Sequence, residues 1–287
     1  MDDMEQVLPV ENHRSREEGL IVYPVYSRRS QGLSIGINLY PDKKCCNFNC
    51  NYCEVFPFGS SVGFSQDLME SGLRKAIAHA AARNIPVKDI CFSGNGEPTL
   101  SLNFAEALRR ASAIRDSLLD KTGNADTAAQ CSLVVISNGT GLLRNDCFNL
   151  LKDCTRPPMG VKLWLKLDAG SADWYKKIDG CFIDFGRLIG AIKKFAEQNE
   201  CIIQTMHCSV NGEAPPIEEI CAWAELTAEI AKAGNVRLVQ IYGKARPSPR
   251  DPVCAALPLD SLEERAGALK MAFENLGVMN TPVAVYT

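Results

Sequence analysis

The feature that most restricts the fold of this sequence is a repeated alternation of short apolar runs with longer amphipathic ones. The short runs lie at 33–40 (LSIGINLY), 87–92 (VKDICF), 132–136 (SLVVI), 161–167 (VKLWLKL), 201–205 and 236–242 (VRLVQIY). Between them, helical periodicity covers about 65–83, 102–119, 141–152, 182–198 and 216–233; Leu68, Leu73, Ala76, Ile77 and Ala80 form the first apolar face. Strands separated by helices pair in parallel through right-handed crossovers. Six of them fit an incomplete (β/α)6 barrel, and 287 residues suit one such domain. The expected order is an N-terminal extension with an edge strand (1–32), the partial barrel (33–243), and a loop, helix and strand (244–287) that cover it. Pro24 places the run GLIVYPVY at a sheet edge. The tail helix is expected to start at Asp260 as N-cap, with Glu263 completing a capping box. Leu262, Ala266, Leu269, Phe273 and Leu276 make its apolar face, and Gly277 ends it.

In parallel α/β folds the active site forms where the strands exit at their C-terminal ends. All six exits here are polar or rich in glycine. The first opens into the loop Cys46-Asn47-Phe48-Asn49-Cys50-Asn51-Tyr52-Cys53. The others lead to Ser93-Gly94-Asn95-Gly96-Glu97-Pro98-Thr99, Ser137-Asn138-Gly139-Thr140, Lys166-Leu167-Asp168, Gln204-Thr205-Met206-His207, and Tyr242-Gly243-Lys244-Ala245-Arg246. Three cysteines at a C-x3-C-x2-C spacing are one short of the four thiolates that usually hold a 4Fe–4S cluster, so one iron would stay open for chemistry. Cys45 offers the other spacing, C-x4-C-x2-C. A zinc site built from Cys45, Cys46, Cys50 and Cys53 is disfavoured, because zinc ligands usually come as two separated pairs.

The cysteine spacing, the aromatic Tyr52 before the last cysteine, and the segment Gly94-Asn95-Gly96-Glu97-Pro98 resemble the radical S-adenosylmethionine (SAM) superfamily over roughly residues 33–243. Its core fold is a TIM-like partial (β/α)6 barrel. The stretches LYPDKKCCNFNCNYCEV and SGNGEPTL look similar to a subgroup of iron–sulfur oxidoreductases related to the synthase of the tricyclic wybutosine base of tRNA. The resemblance implies a 4Fe–4S cluster on Cys46, Cys50 and Cys53. It implies SAM at the open iron and a 5'-deoxyadenosyl radical that takes hydrogen from a substrate, a small molecule or RNA. A reductase such as flavodoxin or ferredoxin would supply the electron. Tyr52, Gly94, Asn95, Gly96, Glu97, Ser137, Asn138, Lys166, Asp168 and Gln204 are the expected cofactor-binding residues.

Each of these has a plainer reading. The GNG segment is equally a glycine turn, and Ser137-Asn138 an Asn-Gly turn capping the next helix. In VKLWLKL, Val161, Leu163, Leu165 and Leu167 fall on one face, and Lys162, Trp164, Lys166 and Asp168 on the other. A lysine there needs a partner. Lys166 therefore either touches an anionic group at the site, as a catalytic candidate, or simply pairs with Asp168. Gln240 is placed with Gln204 by the same alternation. His207 is the second catalytic candidate, and His13 and His79 are too dispersed for a metal site. Lys244, Arg246 and Arg250 make a basic run among prolines, fit for an anionic substrate group or for plain solvation.

Net charge of −3 gives no overall drive toward DNA or RNA, although binding without catalysis stays open as a reading. Thirteen cysteines in a chain of this size, with a strongly charged first eighteen residues and no apolar leader, point to a reducing cytoplasm rather than a disulfide framework. No run approaches a membrane span.

Overall fold

The computed structural model describes residues 19–119 and 131–286, so most of the expected N-terminal extension lies outside the described residues. The chain forms two compact units. The first comprises the described residues up to Cys46, those of Val55–Ile136, and Pro157–Val161; the second comprises Asn47–Glu54, Ser137–Arg156 and Lys162 onward.

In the first unit, β1 (Val22–Ser27) runs antiparallel to β2 (Gly32–Ile37), as expected for the edge strand carrying Pro24. β2, β3 (Val87–Phe92) and β4 (Ser132–Ser137) then pair in parallel. The crossovers are α1 (Gln66–Ala82) and α2 (Phe104–Leu119). Helix α1 begins where Ser65 accepts a hydrogen bond from the Leu68 amide, an ordinary N-cap. It buries Met69, Leu73, Ala76 and Ala80. Leu68 is exposed, since the stripe turns one residue further than the periodicity suggested.

In the second unit, β5 (Lys162–Lys166), β6 (Glu200–Val210) and β7 (Asn235–Gly243) pair in parallel. β8 (Cys254–Ala256) adds antiparallel to β6, and the tail strand β9 (Val283–Tyr286) adds parallel to β7. The helices are α3 (Asn145–Cys154), α4 (Ala172–Asp179), α5 (Phe185–Gln198), α6 (Ile217–Ala233) and α7 (Leu259–Leu276). The predicted helix at 182–198 is α5, whereas α4 went unread. Helix α7 starts after Pro258, with no side chain capping it. The Asp260 capping box does not form; proline sets the start, and Asp260 sits in the first turn, where its charge meets the positive end of the helix. Gly277 ends the helix in a left-handed conformation, as read.

The core is aliphatic: Ile35, Ile37, Ile90, Leu133, Leu163, Leu165, Ile203, Val239 and Ile241 are at most 1% exposed. Among the described residues, no helix is long and apolar enough to cross a membrane.

Candidate active site

The first unit holds the start of the cysteine loop. Asn38, fully buried past the end of β2, accepts hydrogen bonds from the amides of Tyr40 and Asn95, each at 3.1 Å, and donates to the Leu20 carbonyl at 3.0 Å. The segment after β3 is thereby fixed against the segment after β2. It then takes up Cys45. The Cys45 amide donates to the Asn95 carbonyl at 3.0 Å, and the Glu97 amide donates to the Cys45 carbonyl at 2.9 Å, a short parallel bridge opposite Gly96. A Cβ on residue 96 would lie 1.9 Å from the Cys45 carbonyl oxygen, so only glycine permits this approach. Gly94 is held at φ 127° against Asn38.

The Asn95 side chain is buried and donates to the Tyr40 carbonyl at 3.3 Å. The buried Glu97 carboxylate accepts from the Thr99 amide at 3.1 Å and the Thr99 hydroxyl at 2.6 Å. Burial, with Cys45 and Glu97 beside it, pushes the Tyr40 phenol well above its usual range.

The second unit holds the remainder of the loop. Asn138 at the exit of β4 donates to the Asn47 side-chain oxygen at 2.8 Å, and Asn47 donates to the Thr140 hydroxyl at 2.8 Å. Asn138 also accepts from the Thr140 amide and hydroxyl at 3.0 and 2.7 Å, and Ser137 accepts from the Gly139 amide at 3.1 Å. Both proposed ligand contacts thus build the turn that carries Asn47.

Helix α4 supplies the next support. Glu219 accepts from the Gly170 amide at 2.6 Å and from the Ser171 hydroxyl at 2.5 Å, and Ser171 caps the helix by accepting from the Trp174 amide at 3.2 Å. At the other end its last carbonyls lack helical donors, and the cysteine loop satisfies them. The amides of Asn49 and Asn51 donate to the Asp179 and Ile178 carbonyls, both at 2.9 Å. The Asn51 side chain donates to the Lys177 carbonyl at 2.6 Å. Gly180 ends α4 at φ 55°, and a Cβ there would stand 2.6 Å from the Asn49 carbonyl oxygen.

Behind Cys50 and Tyr52 lies a buried polar group. Tyr52 donates to Asp168, and its hydroxyl is 3.3 Å from Asp179; the Cys50 thiol donates to Asp179 at 3.4 Å. Lys166 pairs with Asp168 at 2.9 Å, donates to the Tyr242 hydroxyl at 2.5 Å, and lies over the rings of Tyr52 and Tyr242, 4.8 and 4.7 Å from their centroids. Asp168 accepts in addition from the Met206 amide at 2.7 Å. Burial works against the Lys166 charge, but Asp168 and Tyr242 outweigh it and hold the ammonium above its ordinary value. Burial, then the Asp168 charge, pushes Asp179 upward, favouring its neutral form. Burial and Asp179 push the Cys50 thiol up in the same way.

Gln204 and Gln240 register with Lys166 across β5, β6 and β7, hence on the same face, and Gln204 donates to Gln240 at 2.6 Å. His207 lies inside β6, not at its exit, and on the opposite face. It is fully buried, its Nε2 lies 3.1 Å from the Ser261 hydroxyl of α7, and burial with Arg265 brings it from 6.5 down to about 3. Arg265 itself is fully buried over the Trp223 ring, and burial lowers it to about 10.

The basic run is spent inside the chain. Lys244 pairs with Asp251 at 2.8 Å, Arg246 pairs with Glu54, and Arg250 donates to the Asn51 side-chain oxygen at 2.7 Å. Asp179, Asn51 and Ser248 were missed by sequence reasoning, because their partners lie far along the chain.

None of the thirteen cysteines is joined in a disulfide. Thiols are the ligand type that holds iron–sulfur clusters, and Cys46, Cys50 and Cys53 match that chemistry by residue type. Among the described residues no three His, Cys, Asp or Glu side chains are gathered about one point as a metal group.

Solved structures share this architecture. Streptococcus suis SuiB, in a crystal structure bound to S-adenosylmethionine, aligns at a TM-score of 0.61 and 14% identity over 88% of this chain and 50% of its own. A radical SAM methyltransferase from Sphaerobacter thermophilus aligns at 0.61 and 16% identity, over 88% of this chain and 66% of its own. A "UPF0026 protein" of Helicobacter pylori is 35% identical over 97 residues, which are 33% of this chain. The chain spans 31% of that curated relative's length. No family model matches. The fold is the partial TIM-like barrel of radical SAM enzymes, and the resemblance first read from the cysteine loop holds at the level of architecture.

Proposed function

We propose that the chain is a radical SAM enzyme in which Cys46, Cys50 and Cys53 hold a 4Fe–4S cluster and SAM takes the open iron. When bound, a reduced cluster supplies the single electron that breaks the sulfonium C–S bond of SAM. The observation that carries the reading is the bridge between Cys45 and the Gly94–Glu97 segment. It fastens the start of the cysteine loop, at the residue before Cys46, to the glycine-acid segment that the resemblance assigns to SAM.

The chain's own residues divide the work. Cys45 holds the loop through its backbone and leaves the cluster to the other three. Glu97 offers a buried carboxylate for the SAM ammonium. Asn95, Ser137 and Asn138 act through the loop they support. Lys166 keeps a proton at Nζ between Asp168 and the Tyr242 hydroxyl, on the face that also carries Gln204 and Gln240. It balances the Asp168 charge, and its third N–H is left for an anionic group of SAM or substrate. His207, turned to α7 and neutral, is left out of the chemistry. Thirteen cysteines without a disulfide suit a reducing compartment. The electron would come from a small reductase such as flavodoxin or ferredoxin, and the substrate is a small molecule or RNA.

Anaerobic reconstitution followed by iron and sulfide analysis tests this. The reading expects about four of each per chain, lost in Cys46→Ala, Cys50→Ala or Cys53→Ala and kept in Cys45→Ala. Loss in Cys45→Ala with retention in Cys46→Ala would overturn the ligand assignment.

A further inference from the structure

Asn51 stands between Cys50 and Cys53, and all four of its polar groups are used. Its amide and side-chain NH2 donate to the Ile178 and Lys177 carbonyls at the end of α4. Its side-chain oxygen accepts from Arg250 at 2.7 Å, and its carbonyl accepts from the Ser248 hydroxyl at 3.3 Å. The last two donors belong to the loop that follows β7, some two hundred residues later in the chain.

That loop is itself braced. Asp251 accepts from the Ser248 hydroxyl and amide, both at 2.9 Å, and pairs with Lys244. Its far end enters β8, which pairs with β6. The Arg250 guanidinium donates to a neutral amide oxygen, a contact whose effect is to orient that amide.

We propose that Arg250 and Asn51 are positioning residues. Together they clamp the Cys50–Cys53 segment between the end of α4 and the 244–253 loop, so that both thiols are held ready for the cluster. This rests on the reading above, that those thiols are cluster ligands. It assigns the basic loop to the protein's own cofactor machinery rather than to an anionic substrate.

The test uses Arg250→Met, Arg250→Lys and Asn51→Leu in the full chain, with Arg237→Met as control, because Arg237 pairs with the exposed Glu200 at the opposite end of the strands. In the metal-free protein, alkylation of individual cysteines by iodoacetamide is followed by mass spectrometry. Arg250→Met is expected to speed modification of Cys50 and Cys53 about tenfold, the factor set by losing one charge-assisted hydrogen bond, with Cys45 unchanged. In the reconstituted protein, iron release to a chelator should quicken by a similar factor, and the electron paramagnetic resonance of the reduced cluster should broaden. Arg250→Lys should recover part of both effects.

If Asn51→Leu fails to fold, the exposed Arg250 still decides the matter. Wild-type protein that holds iron, with Arg250→Met alkylated and stripped at wild-type rates, overturns the clamp alone. Wild-type protein that takes up no iron overturns the clamp and the proposed function together.

Discussion

Replacing Gly96 by alanine tests whether the glycine segment exists to carry the cysteine loop. The new Cβ would sit 1.9 Å from the Cys45 carbonyl oxygen, where real contacts stay beyond 3.0 Å, so the two backbones must part by about 1.1 Å. The atom in the way is backbone and cannot turn aside as a side chain would. Two hydrogen bonds, from Cys45 to Asn95 and from Glu97 to Cys45, stretch past useful length. At about 1 kcal/mol net each, with a buried carbonyl left unpaired, the expected cost is about 2–4 kcal/mol. Gly190 is the control: it lies inside α5 with nothing near a new Cβ, so alanine there should stabilise by about 0.4–1 kcal/mol. Differential scanning calorimetry measures both, and hydrogen exchange at residues 44–50 should rise only in Gly96→Ala. Iron uptake on reconstitution should fall in parallel. A Gly96→Ala protein that melts with the wild type and takes up as much iron would refute the cradle.

Two further outcomes follow from buried groups. Glu97→Ala should weaken SAM binding by calorimetry while iron content is kept, at a cost of about 1 kcal/mol of stability from the lost cap on Thr99; an unchanged dissociation constant would remove Glu97 from the site. His207, lowered from 6.5 to about 3, is protonated more readily in the unfolded chain, so stability falls as pH drops through 6.5 toward 3. At about pH 5.5 its share of that loss is about 1.4 kcal/mol, and His207→Gln should lose less stability than wild type between neutral pH and that point. Equal pH profiles for the two proteins would contradict the burial argument.

The layered pattern was legible because it rests on periodicity: each expected strand appears, including the tail strand as β9, and so does each expected helix. What stayed hidden was short or long-range. Helix α4 is eight residues, ADWYKKID, with four charges, and its reason to be helical is the partner it acquires, since its terminal carbonyls are met by Asn49 and Asn51. β8 is three residues long and exists only as a partner for β6. The alternation in VKLWLKL correctly put Lys166 and Asp168 on one face, and the plainer reading of a Lys166–Asp168 pair is realised. His207 was misplaced because β6 runs to Val210, well past the expected end, carrying the histidine to the helix-covered face. The glycines of GNGEP were read as room for a ligand, whereas at Gly96 the room is taken by Cys45. The basic run could not be assigned from sequence, because Arg250 and Asn51 are 199 residues apart.

The most direct measurement of the account is SAM cleavage. Reconstituted protein reduced with dithionite in the presence of SAM should yield 5'-deoxyadenosine and methionine by liquid chromatography and mass spectrometry, even before a substrate is known. Cys50→Ala, treated identically, should yield neither. Protein that carries a full cluster, binds SAM and still forms no 5'-deoxyadenosine under any reductant would contradict the claim that this chain is a radical SAM enzyme.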